Sequence, residues 1–349
     1  MQEEKIDNSE NIGKLREQLK LKMEDRLRIE KLNLLRYYLA GEEKEEEKVK
    51  YDKEKDKLIY SESIQIAIVL INRIEEILNE EVKSGEANFE YLERLDEISK
   101  ENYYYLARYL YSYYAIAIEF GIPKAKQFLA PRRCVLDYVN WELTKFYYKD
   151  RAIMTISMPQ RHPGKLRTGK RFMSFCVGKN PDLPNMFVSY SAAIAKDKGY
   201  NGIMTLLEDE NGNFQKIFPN LKIIYKNAET MSIDCRDDGK KKPHSEYTLY
   251  CAGFDGSITG RTRAHGVLYV DDLVKNIEEA RNKDVMDKKW EEFTGTLKKR
   301  MQGQCKLLII GTVFSISDPL SRIIEYYKQK APDRIKVIKI PRIEREQRK

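Results

Sequence analysis

"AIMTISMPQRHPGKLRTGKRF", residues 152–172, decides the fold. An apolar run of strand length leads into a basic loop that holds two Gly-Lys pairs, Gly164-Lys165 and Gly169-Lys170, and the loop leads into a helical pattern. A loop between a strand and a helix N-terminus can wrap backbone N–H groups around phosphate oxygens. In such loops a Lys meets the β- and γ-phosphates, and the Ser or Thr after it meets Mg²⁺. Two registers are open. Read literally, Gly164 to Lys170 matches G-x-x-x-x-G-K, which makes Lys170 the phosphate lysine and puts Arg171 at the hydroxyl position. In the other register the loop runs from Pro159 through Arg161 to Gly164-Lys165, Leu166 takes the hydroxyl position, and the following helix keeps about three turns. Neither register supplies the hydroxyl. Thr168 is an alternative source, and Gly169 belongs to the loop only in the first register.

About a hundred residues on, "HGVLYVDD" (265–272) is an apolar strand that ends in two carboxylates. Asp271 is placed to hold Mg²⁺ and Asp272 to orient an attacking water. The competing reading is a helix N-cap for "DDLVKNIEEA". A third strand, "KLLIIGT" (306–312), ends in Thr312, a natural sensor of a γ-phosphate if its strand lies beside the acidic one. Arg261 and Arg263, in "GFDGSITGRTRAHG", precede the acidic strand. Either can neutralise transition-state charge in its own subunit or a neighbour's, or bind DNA phosphate. Together these motifs point to an ATP-hydrolysing enzyme with ATP and Mg²⁺ as cofactors.

From Arg132 onward, strand-length apolar runs alternate with helical stretches at 190–199, 273–300 and 318–330. Several runs are continuously apolar, as strands covered on both faces are. This alternation predicts an α/β fold with a mostly parallel sheet. Before it lies an α-helical region. Residues 11–38 carry a stripe of Ile12, Leu15, Leu19, Met23, Leu27 and Leu34. The charge-dense "GEEKEEEKVKYDKEKDK" (41–57) reads as a solvated helix or a linker, and residues 61–82 and 99–121 as buried helices. The tyrosines of the last, Tyr103 to Tyr114, suit core packing or a stacking surface. The expected domains are 1–125, helical, and 126–349, a P-loop ATPase.

The 349 residues carry a net charge of +8, and the surplus is uneven. Residues 1–130 hold about −6 and the remainder about +14, which suits a phosphate-rich partner or a merely solvated basic surface. No run approaches the ~20 apolar residues of a membrane span, and the acidic N-terminus is unlike a signal peptide. The five cysteines, in no C-x-x-C pair, read as reduced thiols. The three histidines are not spaced as metal ligands.

Seven blocks, in order, resemble the large subunits of tailed-bacteriophage terminases, the motors of viral DNA packaging. They are "APRR" (130–133), "SMPQRHPGK" (157–165), "GKNPDLPNMFVSYS" (178–191), "IFPN" (217–220), "GFDGSITGRTR" (253–263), "LYVDDLVKNIEEARNKD" (268–284) and "GTVFSISDPLSRI" (311–323). The resemblance covers roughly 131–340 and implies a RecA-like P-loop (ASCE) NTPase. It places Pro131, Arg132 and Arg133 near an adenine-binding segment, Asp271 and Asp272 as the Walker B pair, and Thr312 at the coupling position. Arg263, with Arg261 second, takes the role of an arginine that reaches a neighbour's nucleotide. Counting back from "GKNP" favours Lys165 as the phosphate lysine. The implied partners are double-stranded DNA, a portal protein and a small terminase subunit. The implied assembly is a homo-oligomeric, pentameric ring, with a monomer possible in isolation, in the host cytoplasm and transiently docked on a procapsid. Two departures stand out: Leu166 replaces the usual hydroxyl residue, and Val313-Phe314 replace an Arg-Trp. The RNase H-like nuclease of such subunits is expected to be absent, through truncation or as a separate chain. The alternatives are a nucleotide- or DNA-binding assembly module without hydrolysis, and a helicase-like ATPase.

Overall fold

The structure, a computed structural model, describes residues 8–84, 89–160, 162, 164–235, 247–254 and 263–341. Arg161 and Arg261 lie outside the described residues. The chain forms two compact units, residues 1–52 with 58–106, and residues 53–57 with 107–349. Among the described residues no helix is long and apolar enough to cross a membrane.

The first unit contains α1 (Asn8–Glu42), a two-stranded sheet of β1 (Val49–Asp52) and β2 (Lys57–Tyr60), α2 (Glu62–Ser84) and most of α3 (Phe89–Ala107). Two expectations are corrected here. The charged stretch 41–57 holds a 3₁₀ turn at Glu45–Glu47 and strand β1 instead of a solvated helix or linker. Val49 and Leu58 are buried, which gives each strand of the pair an inward side chain. The buried face of α1 is also not the expected stripe. Leu27 and Leu34 are 54% and 69% exposed, whereas Ile29, Asn33 and Arg36 are buried; the side chains of Ile12, Leu15, Leu19 and Met23 lie outside the described residues. The reason is a polar contact. Arg36 donates to Asn33 Oδ1 (3.3 Å) and Asn102 Oδ1 (3.1 Å), and Asn102 Nδ2 donates to Asn33 Oδ1 (2.9 Å) and to the Ile98 carbonyl (2.8 Å). Leaving those groups buried and unpaired would cost about 1–3 kcal/mol each, which decides the face.

The second unit is built on an eight-stranded sheet of order β10-β3-β9-β8-β4-β7-β6-β5. Its strands are β3 (Ile153–Ser157), β4 (Asn185–Ser189), β5 (Leu221–Lys226), β6 (Thr230–Cys235), β7 (Leu249–Gly253), β8 (Val267–Asp271), β9 (Lys306–Gly311) and β10 (Ile335–Lys339). From β10 to β7 every pairing is parallel; β6 and β5 add on antiparallel. The chain is thus α/β with a mostly parallel sheet and helices before it. Strand β6 is absent from the sequence reading, because its alternation of Met231 and Ile233 with polar residues is short and lacks a continuous apolar run.

Helices α4 (Tyr111–Ala117), α5 (Arg133–Tyr148) and α6 (Gly164–Lys179) belong to this unit. The stretch read as one helix over 99–121 is broken between Ala107 and Tyr111, and α4 falls on the far side of the division, so the units part near 106 and not near 125. Packing explains the assignment. Tyr111 and Tyr114 are fully buried among Phe172 and Phe175 of α6, and their hydroxyls meet the Thr168 carbonyl and the Ser174 hydroxyl.

Next come α7 (Ala192–Ile194), a π-helical segment (Ala195–Tyr200) and α8 (Asn201–Leu207) in one unbroken run, then α9 (Asn213–Ile217). Beyond β8 the helix expected over 273–300 is divided into α10 (Ile277–Ala280), α11 (Lys283–Glu292) and short turns. Finally α12 (Pro319–Lys330) begins at Asp318, whose carboxylate accepts from Leu320 N (2.8 Å).

The strands alternate their faces. Leu268 and Val270 of β8 join a core with Leu307, Ile309, Met286, Ile323 and Tyr327, while Tyr269 turns to the α6 face against Phe187. Each of these buried side chains contributes about 1.5–3 kcal/mol. Gly199, in the π-helical segment, lies so close to the Phe187 ring that a Cβ would overlap it. Gly199→Ala is therefore expected to lower unfolding stability by about 1–3 kcal/mol, read from the denaturant midpoint at unchanged slope. An unchanged midpoint would show that the α7–α8 run is not seated on β4 as described.

Candidate functional site

Strand β3 ends at Ser157 and α6 begins at Gly164. Lys165 is therefore the second residue of the helix, at the C-terminal edge of the sheet. In open α/β sheets ligands bind outside the carboxyl ends of the strands. The Gly164 N–H donates to His162 Nδ1 (3.1 Å). That contact needs a neutral imidazole, and burial, followed by the charges of Arg132 and Lys165, holds the His162 pKa below its ordinary value.

Three strand tips meet at Lys165. Its ammonium lies 2.6 Å from Asp272 Oδ2 and donates to Thr312 Oγ1 at 3.0 Å. Asp272 Oδ1 accepts from the Thr312 N–H (3.1 Å), and the Thr312 hydroxyl donates to the Met158 carbonyl (3.2 Å). Asp272 itself stands in a left-handed conformation (φ 44°), which a non-glycine residue holds at a cost of order 1 kcal/mol. It is kept there by its N–H bond to the Ile310 carbonyl (3.1 Å) and by the two groups on its carboxylate.

Asp271 points the other way. Two residues after Tyr269, it shares the α6 face and accepts from the Tyr269 hydroxyl at 3.0 Å. It is 5% exposed. Burial, followed by the neighbouring Asp272 charge, pushes its pKa up to about 7, against the pull of Tyr269, Lys165 and Lys170. The two carboxylates do not cap a helix: that role is filled by Asn276, whose side chain accepts from Glu279 N.

The other predicted residues are distributed as follows. Gly169 lies inside α6, where a Cβ would overlap the Tyr269 hydroxyl, so its smallness serves helix-to-strand packing. Lys170 is half-buried against Gly202 of α8, and the Asp271 charge acts on it. Leu166 is half-buried, and the Thr168 hydroxyl is buried with no hydrogen-bond partner among the described residues. Arg132 donates to the Phe128 carbonyl (2.8 Å), and its charge acts on His162. Arg133 pairs with Asp137 on an exposed face. Arg263 is exposed and precedes Ala264, which bridges Met301 before β8 begins. That puts Arg263 at the opposite end of β8 from Asp271, more than about 13 Å away along the strand. Within one chain it is not brought to Lys165.

Tyr269 and His162 were not singled out in the sequence. A tyrosine two residues before Asp271 in an otherwise aliphatic strand was the available signal for the first. No family model matches the chain, and no curated protein matches it.

The raised pKa of Asp271 carries a stability consequence. Folding favours its protonated form, so the stabilisation is complete below the unfolded value of 3.8 and is lost as pH rises toward and through about 7. Between those limits wild-type stability is expected to lose about 1.4 kcal/mol per pH unit through this group, and Asp271→Asn, which still accepts from Tyr269, to remove that slope. Denaturant unfolding from pH 4.5 to 8 checks it, in steps of roughly one unit; parallel curves for the two proteins would refute it.

Proposed function

We propose that the second unit is an ATP-hydrolysing motor of the kind that terminase large subunits carry, a RecA-like P-loop fold that moves double-stranded DNA. The single observation that carries the reading is the convergence of Lys165, Asp272 and Thr312 at the edge of the sheet. The strand between the loop-bearing β3 and the acid-bearing β8 is β9, which ends just before Thr312. An ATPase of this class needs a lysine for the β/γ-phosphates, an acid to orient water and a polar group that feels the γ-phosphate. The N-terminus of α6 adds N–H groups and the positive end of a helix dipole.

In this reading Lys165 leaves Asp272 for the phosphates, and Asp272, relieved of its cation, accepts a proton from the attacking water. Asp271 fits a Mg²⁺ ion, since that ion commonly takes one or two carboxylates and completes its shell with phosphate and water. When bound, Mg²⁺ would neutralise phosphate charge and hold Asp271 ionised. The basic surplus of the C-terminal part supports contact with DNA phosphates, and Arg263, remote from Lys165 in its own chain, suits a neighbouring subunit's nucleotide in a ring on a portal. One observation favours a second reading, a nucleotide-binding module that does not hydrolyse: Leu166 gives Mg²⁺ no hydroxyl, and the Thr168 hydroxyl is buried.

DNA-stimulated phosphate release decides between them. Wild type is expected to turn over ATP; Lys165→Ala to lose at least about 100-fold in kcat/KM, and Lys170→Ala less than about tenfold. Nucleotide binding without turnover in wild type would support the second reading, and no nucleotide binding with DNA present would sink both.

A further inference from the structure

A second cluster of cations lies on the flank of α6, away from the strand tips. A cavity of about 230 Å³ opens there between α6, α8 and the segment that precedes α5. Its wall carries four cationic side chains, Lys126, Arg167, Lys170 and Arg171, against one carboxylate, Glu119. That carboxylate is already committed. It accepts from Phe128 N (2.6 Å) and Leu129 N (3.0 Å) and pairs with Arg171 Nη2.

Arg171 is 8% exposed, and its Nη1 is buried with no hydrogen-bond partner among the described residues. A buried donor left unpaired costs about 1–3 kcal/mol, and more when it is charged. The Phe128 ring takes up part of the surplus. The guanidinium groups of Arg132, Arg167 and Arg171 lie 5.0, 5.4 and 4.8 Å from its centroid. Lys170 stands against Gly202 in the same wall, and burial, followed by the charge of Arg167, lowers its pKa against the opposing pull of Asp271. Four cations against one committed carboxylate leave the wall of the cavity with a surplus of positive charge.

We propose that this cavity binds a compact phosphate anion, at a site separate from Lys165. Arginine is suited to it, because its fork matches two phosphate oxygens at once. The volume lies below the roughly 300–1,000 Å³ of sites for whole drug-sized ligands, so it suits a phosphate or pyrophosphate group in preference to an entire nucleotide. The group can be free or the terminal phosphates of a larger molecule. Lys165 is not part of the wall, and its ammonium is held by Asp272 and Thr312.

The test titrates pyrophosphate into full-length Lys165→Ala protein by calorimetry, which removes the strand-tip lysine. Binding is expected to persist at one site, to weaken as salt is raised, and to fall at least about tenfold in Lys165→Ala/Arg167→Ala and further when Lys170→Ala is added. Arg167 is exposed, so its removal reads the site without emptying the core. ATP titrated into the same Lys165→Ala protein separates the sources. Competition with pyrophosphate indicates a nucleotide's phosphates, and its absence indicates a free anion. No pyrophosphate binding up to roughly 1 mM in Lys165→Ala protein, or binding that the Arg167 and Lys170 substitutions leave unaltered, overturns the proposal.

Discussion

The ammonium of Lys165 is held between the Asp272 carboxylate and the Thr312 hydroxyl, and the three groups come from strands that are not consecutive in the chain. Lys165 follows β3, Asp272 follows β8 and Thr312 follows β9. They meet because β9 is hydrogen-bonded on one side to β3 and on the other to β8, in matching parallel register. Parallel strands send all their C-terminal ends to one edge, and that is where the unit gathers its charges. Were β9 inserted elsewhere, Thr312 would no longer stand between the lysine and the carboxylate. The Thr312 N–H bond to Asp272 ties the two strand tips directly, and the left-handed backbone at Asp272 shows how closely the turn is held.

The opposite acid is governed by packing. Gly169 lets α6 approach β8 until the helix backbone covers the Tyr269 hydroxyl, and Tyr269 in turn holds Asp271 from the same face. Water is thereby kept from Asp271, and the neighbouring Asp272 charge adds to the cost of ionising it. Two adjacent carboxylates are thus made chemically unlike: one is paired with a lysine at the edge, the other is buried beneath a helix. An added positive charge beside Asp271 would favour its ionised form and so reverse the second condition.

The central sheet was legible because its strands are covered on both faces and read as unbroken apolar runs; "GVLYVDD" and "KLLIIG" needed no tertiary information. The pairing of Lys165 with Asp272 was within reach once the loop and the acidic strand were assigned to one unit. What sequence did not carry was any choice that depends on a distant neighbour. The face that α1 buries is set by Asn102, 66 residues from Arg36, so a polar cluster wins over the leucine stripe. Strand β1 lies in a stretch whose charges mask a single inward Val49. Arg263, close to Asp271 in sequence, is distant in space because an extended strand separates them. The cavity beside α6 needs Phe128 and Gly202 to converge on Arg171, and no local spacing encodes that.

The two Gly-Lys pairs of the loop, which look interchangeable as text, are made unlike by helix geometry. Both lie within α6, five residues apart, so their lysines are separated by about 7.5 Å of rise and by about 140° around the axis. One ligand cannot take both in the manner of a single phosphate loop. Lys165, at the first turn, has the positive end of the helix dipole and the strand tips beside it. Lys170, past the first turn, has neither, since the N–H groups at its depth are spent within the helix. Its charged neighbours are Arg167, Lys198 and Arg171, opposed by Asp271. The same five-residue spacing that resembles a single motif therefore divides the basic charge of α6 between two faces.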